Sequence, residues 1–137
     1  SFSDWIVSGL RAGKRLPLFE DVYFTPILAD ALALAAHRLA ALPTAGVINL
    51  AGDERVSKYA FAMRLAAAFE LPGELIQRDK ISHSGLHAKR PSDMSLDNAR
   101  ARDLLGTGLG RLDDYFLALR RQEEEGRREE LIHAVTE

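Results

Sequence analysis

An α/β chain, with helices alternating with a few short strands, is what the sequence predicts, and three observations predict it. Apolar residues recur at helical spacing in separate stretches, the clearest being Leu28, Leu32, Ala35, Leu39 and Leu42, which form one stripe. Between such stretches lie short β-branched or aromatic runs, residues 21–25 (DVYFT) and 46–50 (GVINL), of strand character. Gly, Pro, Ser or Asp marks most changes of pattern. With 137 residues, 47% of them hydrophobic and 28% charged, the chain has the size of one domain and enough apolar side chains for one ordinary core.

Phe2, Trp5, Ile6, Gly9 and Leu10 place a short amphipathic helix over about residues 4–12, with Ser3 as N-cap and Gly13 as its stop. Pro17 keeps Leu16 out of the helical region, so residues 16–19 are extended. The stripe from Leu28 to Leu42 is a helix closed by Pro43; its start is open between Thr25-Pro26 and Asp30. Residues 46–50 read as a buried strand ending at Ala51-Gly52. Ser57 caps a helix that runs to about Phe69 and is ended by Pro72-Gly73. A strandlet at 75–77 precedes a polar loop over 78–96. Asp97 then caps a short helix that stops at Gly106, and a last helix carries Leu112, Tyr115, Phe116 and Leu119. The division this gives is a folded portion over 1–121 and a charged tail over 122–137. In the tail, Glu123 with Arg127 and Glu124 with Arg128 are favourable i,i+4 pairs.

Composition excludes several classes of function. Eighteen Lys and Arg stand against 20 Asp and Glu, a net charge of −2, which gives no general electrostatic reason to bind nucleic acid or an anionic membrane. The absence of cysteine rules out disulfides and Cys-ligated zinc or iron–sulfur sites, and fits a reducing compartment; a cytoplasmic location is expected. The richest apolar stretch, residues 31–36, is far short of a membrane span, and no secretory segment is visible. His83 and His87 are four apart, but Gly85 and the flanking serines make them loop histidines, so no metal site is assigned. The glycine run 106–110 (GTGLG) follows a helix instead of a strand and has the wrong spacing for a dinucleotide loop, so it reads as a helix stop and linker. Asp53-Glu54 are carboxylates favoured near a helix start. Trp5, Tyr59, Phe61, Phe69 and Phe116 fall on apolar stripes and are expected in the core. The catalytic set is empty.

The segment from Arg78 to Arg90 is the informative one. It carries Arg78, Lys80, Lys89 and Arg90 against Asp79 alone, inside a chain that is negative as a whole. A guanidinium beside a rigid proline, as Arg90 is beside Pro91, can grip phosphate oxygens through parallel N–H bonds. Taken by themselves the residues leave two readings open, a solvated loop or an anion site centred on Arg90.

Three stretches in order resemble the C-terminal half of extended short-chain dehydrogenase/reductases, most closely the dTDP-4-dehydrorhamnose reductase type. They are DVYFTPILADALALAAHRL (21–39), GVINLAGDERVSKYAFAMRLAAAFEL (46–71) and KRPSDMSLDNARARDLLG (89–106). The resemblance covers about residues 1 to 120. It implies the substrate-binding portion of a Rossmann-type enzyme that uses NADP or NAD, acting on a dTDP- or UDP-linked sugar. It implies that Arg90, helped by Lys89, contacts the diphosphate, that Asp93 faces the nucleotide ribose and that Asp30 caps its helix. The family's Tyr-x-x-x-Lys pair and cofactor glycine motif have no counterpart here, so the chain is expected to bind no cofactor and to be catalytically incomplete alone. The resemblance also puts the 47–50 strand at the margin of the cofactor sheet. The chain is therefore expected to be either a fragment whose partner is a missing N-terminal cofactor-binding half, or a self-associating module. Two rival readings are a non-catalytic regulatory or binding module and a part of a nucleotide-sugar epimerase or dehydratase.

Overall fold

The computed structural model describes residues 1–83 and 90–126. Among them are five α-helices, α1 (Phe2–Arg11), α2 (Ala29–Ala40), α3 (Lys58–Ala68), α4 (Ala99–Leu105) and α5 (Leu112–Glu124). They alternate with five short strands, β1 (Leu16–Phe19), β2 (Tyr23–Phe24), β3 (Val56–Ser57), β4 (Ile76–Asp79) and β5 (Asp93–Met94). The α/β class is therefore as expected. β1 and β4 form a parallel pair with Leu16 opposite Ile76. β2 lies between β3, antiparallel to it, and β5, parallel to it, so that Tyr23 is in register with both Ser57 and Asp93.

α3 is the hub of the main core. Ser57 ends β3 in an extended conformation, and its Oγ accepts the Ala60 N–H at 3.1 Å, which starts the helix. Phe61, Ala62, Leu65 and Ala66 then line its buried face. That face meets α1 through Ile6 and Leu10, β1 and β4 through Leu16 and Ile76, and α5 through Leu112 and Phe116. Phe61 and Phe116 pack edge to face at 5.2 Å, one of the preferred aromatic geometries. A second, smaller cluster joins Ala35 and Leu39 of α2 to Ala101, Leu105 and Leu109 at and beyond α4.

The structure corrects the sequence reading at several points. α1 begins two residues early: Ser1, not Ser3, is the N-cap, and a capping box joins it to Asp4. Asp30 does not cap α2. Leu28 holds the N-cap position without a side-chain bond, and Asp30 in the first turn accepts the Gln122 amide at 2.7 Å. At α4 the N-cap is Asn98, whose amide is drawn away to the 51–53 segment, while Asp97 Oδ1 accepts the Ala99 N–H at 2.8 Å from one position earlier. The supposed loop over 78–96 contains the end of β4, a 3₁₀ turn at Ile81–His83 and β5. The last helix, α5, runs on into the charged stretch as far as Glu124, where Glu123 pairs with Arg11 and Glu124 with Arg120. Arg127 and Arg128 lie outside the described residues, as do His87 and His133. Trp5 is 49% exposed, since its ring stacks on the outer side of Phe2 at 6.2 Å and not in the core.

The largest difference is at residues 46–50, where a buried strand is expected. No strand pairs with this stretch among the described residues, and Val47 is 85% exposed. A strand exists by virtue of a neighbour, and the groups nearest this stretch are side chains. Arg100 Nη2 donates to the Ala45 carbonyl at 2.6 Å and its Nη1 to the Val47 carbonyl at 3.0 Å, and Asn49 Nδ2 donates to the Asp97 carbonyl at 3.1 Å.

Candidate functional site

The β3-β2-β5 sheet carries the charged residues of interest. Asp93 lies on β5 beside Tyr23, and Arg90 precedes it by three residues, before Pro91. Arg90 is exposed and, among the described residues, has no ion-pair partner. Lys89 lies outside the described residues. The positive segment thus contributes Arg90 as a free guanidinium. Arg78 is engaged, over the Tyr59 ring at 4.8 Å and 3.7 Å from Glu20.

Asp93 is held from within the chain by a residue that no sequence pattern singles out. Arg55, just before β3, donates through Nη2 at 2.8 Å and Nε at 3.2 Å to Asp93 Oδ2, while its guanidinium lies over the Tyr23 ring at 3.7 Å. The Ser95 N–H donates to Oδ1 at 2.9 Å. The Arg55 hydrogen bonds, followed by those from Ser95, hold the Asp93 carboxyl down to about 2, so it is ionised throughout the physiological range. Residues 55 and 93 are far apart in sequence, and only the pairing of β2 with both β3 and β5 brings them together.

Lys58, the first residue of α3, is the other feature that sequence reading missed. Its Nζ lies over the Phe24 ring at 3.8 Å and the Phe2 ring at 4.3 Å. The available sequence signal is a basic residue at a helix start with no acid anywhere in the first turn.

The Asp53-Glu54 pair has a structural role of a specific kind. Asp53 accepts Asn98 Nδ2 at 2.8 Å, the Gly110 N–H at 3.0 Å and the Leu109 N–H at 3.2 Å. Glu54 meets Arg64 at 2.6 Å and Arg111 at 3.0 Å, and accepts the Leu112 N–H at 3.3 Å at the start of α5. The preference for a helix start is met, but by serving α5. The glycine run is a helix stop, as expected: Gly106 ends α4 in the left-handed conformation at φ 66°. With the amides of Leu109 and Gly110 already given to Asp53, this run does not fit a nicotinamide cofactor's phosphates. His83 Nδ1 is 3.1 Å from Asp79 Oδ1, and no group of three or more metal-ligating residues occurs among the described residues.

A shallow groove of about 380 Å³ runs between α2 and the 44–50 stretch, lined by Leu39, Leu42, Ile48 and Leu50 among others.

This arrangement of helices and short strands is the fold of a portion of the sugar-nucleotide reductases. The dTDP-4-dehydrorhamnose reductase of Bacillus anthracis, solved in complex with NADP, superposes with a TM-score of 0.77 at 13% identity, over 86% of this chain and 42% of the reductase. The Yersinia enterocolitica dTDP-4-dehydrorhamnose reductase gives 0.70 at 17% identity, over 85% and 42%. A B. anthracis dTDP-glucose 4,6-dehydratase in complex with NAD gives 0.64 at 12% identity, over 90% and 40%. In sequence, the chain is 27% identical over 118 residues to a probable low-salt glycan biosynthesis reductase, Agl14, of Haloferax volcanii, matching 86% of this chain and 39% of that protein. The chain thus spans about two-fifths of the length of the proteins it resembles. No protein-family model matches it.

Proposed function

We propose that the chain is the nucleotide-sugar-binding portion of an NAD(P)-dependent reductase of the dTDP-4-dehydrorhamnose reductase type. The observation that carries this reading is the match to two-fifths of such reductases, on a fold in which Arg90, just before β5, is exposed and has no ion-pair partner among the described residues. Arg90 grips the diphosphate of a dTDP- or UDP-linked sugar with help from Lys89, and Asp93 faces the nucleotide ribose. The chain's contribution is positioning, because fixing the diphosphate fixes where the sugar sits. The nicotinamide, NADP or NAD, and the groups that transfer its hydride belong to the three-fifths of such an enzyme that lies outside the match. That cofactor-binding portion is the proposed partner. It would seat on the groove between α2 and the 44–50 stretch, covering Ile48 and Val47; self-association would cover the same surface. No described helix is long and apolar enough to cross a membrane, and a cytoplasmic location is part of the proposal. The dehydratase likeness supports a second reading, that the same binding portion serves a nucleotide-sugar dehydratase.

Calorimetric titration with dTDP and UDP tests this. Arg90→Ala should weaken either diphosphate by about 2 kcal/mol, the scale of a charge-assisted hydrogen bond, with the fold unchanged by circular dichroism. An unaltered Kd removes Arg90 from the site.

A further inference from the structure

Half-buried cations are rare in this molecule, and their partners differ. Among the described residues three Lys or Arg side chains are partly withdrawn from solvent: Lys58, Arg64 and Arg120. Arg64 lies between Glu54 at 2.6 Å and Asp113 at 2.7 Å. Arg120 meets Glu70 at 2.8 Å, Glu124 at 3.2 Å and the Ala68 carbonyl at 3.0 Å. Lys58 meets the faces of Phe24 and Phe2, and no carboxylate is paired with it among the described residues. Withdrawing an ammonium from water is costly unless a counter-charge replaces the water, and ring faces replace it only in part. Burial accordingly pushes the Lys58 ammonium below its ordinary value.

Its place in the sheet adds a second observation. The Lys58 N–H donates to the Val22 carbonyl at 2.9 Å, and the Tyr23 N–H donates to the Ser92 carbonyl at 2.8 Å. The start of α3 and the Arg90-Pro91-Ser92 segment therefore flank β2 at the same end, one on each side. Two strand spacings, about 10 Å, separate the Lys58 and Ser92 backbones, a distance on the scale of two long cationic side chains reaching toward one diphosphate.

We infer that Lys58 is a second phosphate-binding cation, which with Arg90 holds a diphosphate across the end of β2. This rests on the reading of the chain as a nucleotide-sugar-binding portion and adds a residue to that site. The two Phe rings fix the ammonium in advance, so little ordering remains when the anion arrives.

Inorganic pyrophosphate is the direct probe, with amine methylation of the intact 137-residue protein followed residue by residue by mass spectrometry. Pyrophosphate should slow methylation of Lys58 and leave Lys14 unaffected. Titration should show Lys58→Met weakening pyrophosphate about tenfold, the scale of one charged contact, and Lys58→Arg restoring it. The thermal midpoint of Lys58→Met should equal or exceed that of the parent, since an uncompensated charge is removed. Equal methylation rates with and without pyrophosphate overturn the inference, and this holds even were Lys58→Met not to fold. Loss of pyrophosphate binding in Arg90→Ala with parental binding in Lys58→Met also overturns it, leaving the Arg90 reading intact. Protection of Lys58 by pyrophosphate, with dTDP and UDP binding no more tightly than pyrophosphate itself, keeps the cation contact and defeats the nucleotide reading.

Discussion

Leu65 on α3 and Val47 in the stretch expected as a buried strand are both aliphatic, yet one is fully enclosed and the other is 85% exposed. Leu65 sits where α1, α5 and the β1-β4 pair converge on α3, so every side of it has a neighbour. Val47 lies next to the α2–α4 cluster, in a stretch that has no strand partner among the described residues. Periodicity reports what a segment is suited to bury. Whether it is buried depends on the surfaces its neighbours present, and these enclose Leu65 but not Val47.

Substitutions at those two residues should separate the regions most widely. Leu65→Ala should cost about 3 to 4 kcal/mol by chemical denaturation, as for a closed site that cannot collapse around the cavity. Val47→Ala should change stability by no more than about 0.5 kcal/mol. A large loss at Val47 would mean that its region is closed in solution.

A smaller effect is expected where the two regions are tied. Asp53 joins the 51–54 segment to Asn98 of one region and to the approach of α5 in the other. Asp53→Ala leaves those donors unmatched and should cost about 2 kcal/mol, with hydrogen exchange rising first around α4. Burial raises the pKa of this carboxyl, but the bonds from Gly110, Asn98 and Leu109, aided by Arg102, outweigh it, so the group sits below its ordinary value. Its contribution is therefore complete above the ordinary carboxylate pKa of 3.8 and is lost as pH falls through the lower folded value. Acid unfolding of the parent should show this step, and Asp53→Ala should lack it.

Tyr115 gives a smaller effect than Asp53 at neutral pH and a sharper one in base. Its hydroxyl donates to the Leu109 carbonyl; burial, then the charges of Asp53 and Asp114, push its pKa up to about 12. Stability held by the neutral phenol is complete below the ordinary value of 10.0 and is lost as pH rises toward about 12. Tyr115→Phe should lose about 1 kcal/mol at pH 7 and should lack the alkaline step. An alkaline transition of equal size in both proteins would place its origin elsewhere.

Much of the first region was legible in the sequence, because its signals are local. Ser57 caps α3, the apolar residues from Leu112 to Leu119 mark the buried part of α5, and Pro17 forces the extension that becomes β1. What was not legible depends on pairing. β5 is only two residues long and is defined by its partner β2. The fork of Arg55 on Asp93 and the rings beneath Lys58 join residues from three or more elements, so no spacing rule announces them. Arg90 could be singled out because it stands beside a proline in a basic stretch, and the structure adds its exposure and the place of its segment beside β2.

The Arg100 guanidinium that fastens the Ala45 and Val47 carbonyls has a consequence for encounter. Fixing the backbone of a residue costs about 1–2 kcal/mol of entropy, and here that ordering occurs while the domain folds. With Asn49 tethered to the Asp97 carbonyl as well, the stretch is ordered in advance, and the proposed partner portion would have only its own disorder to lose.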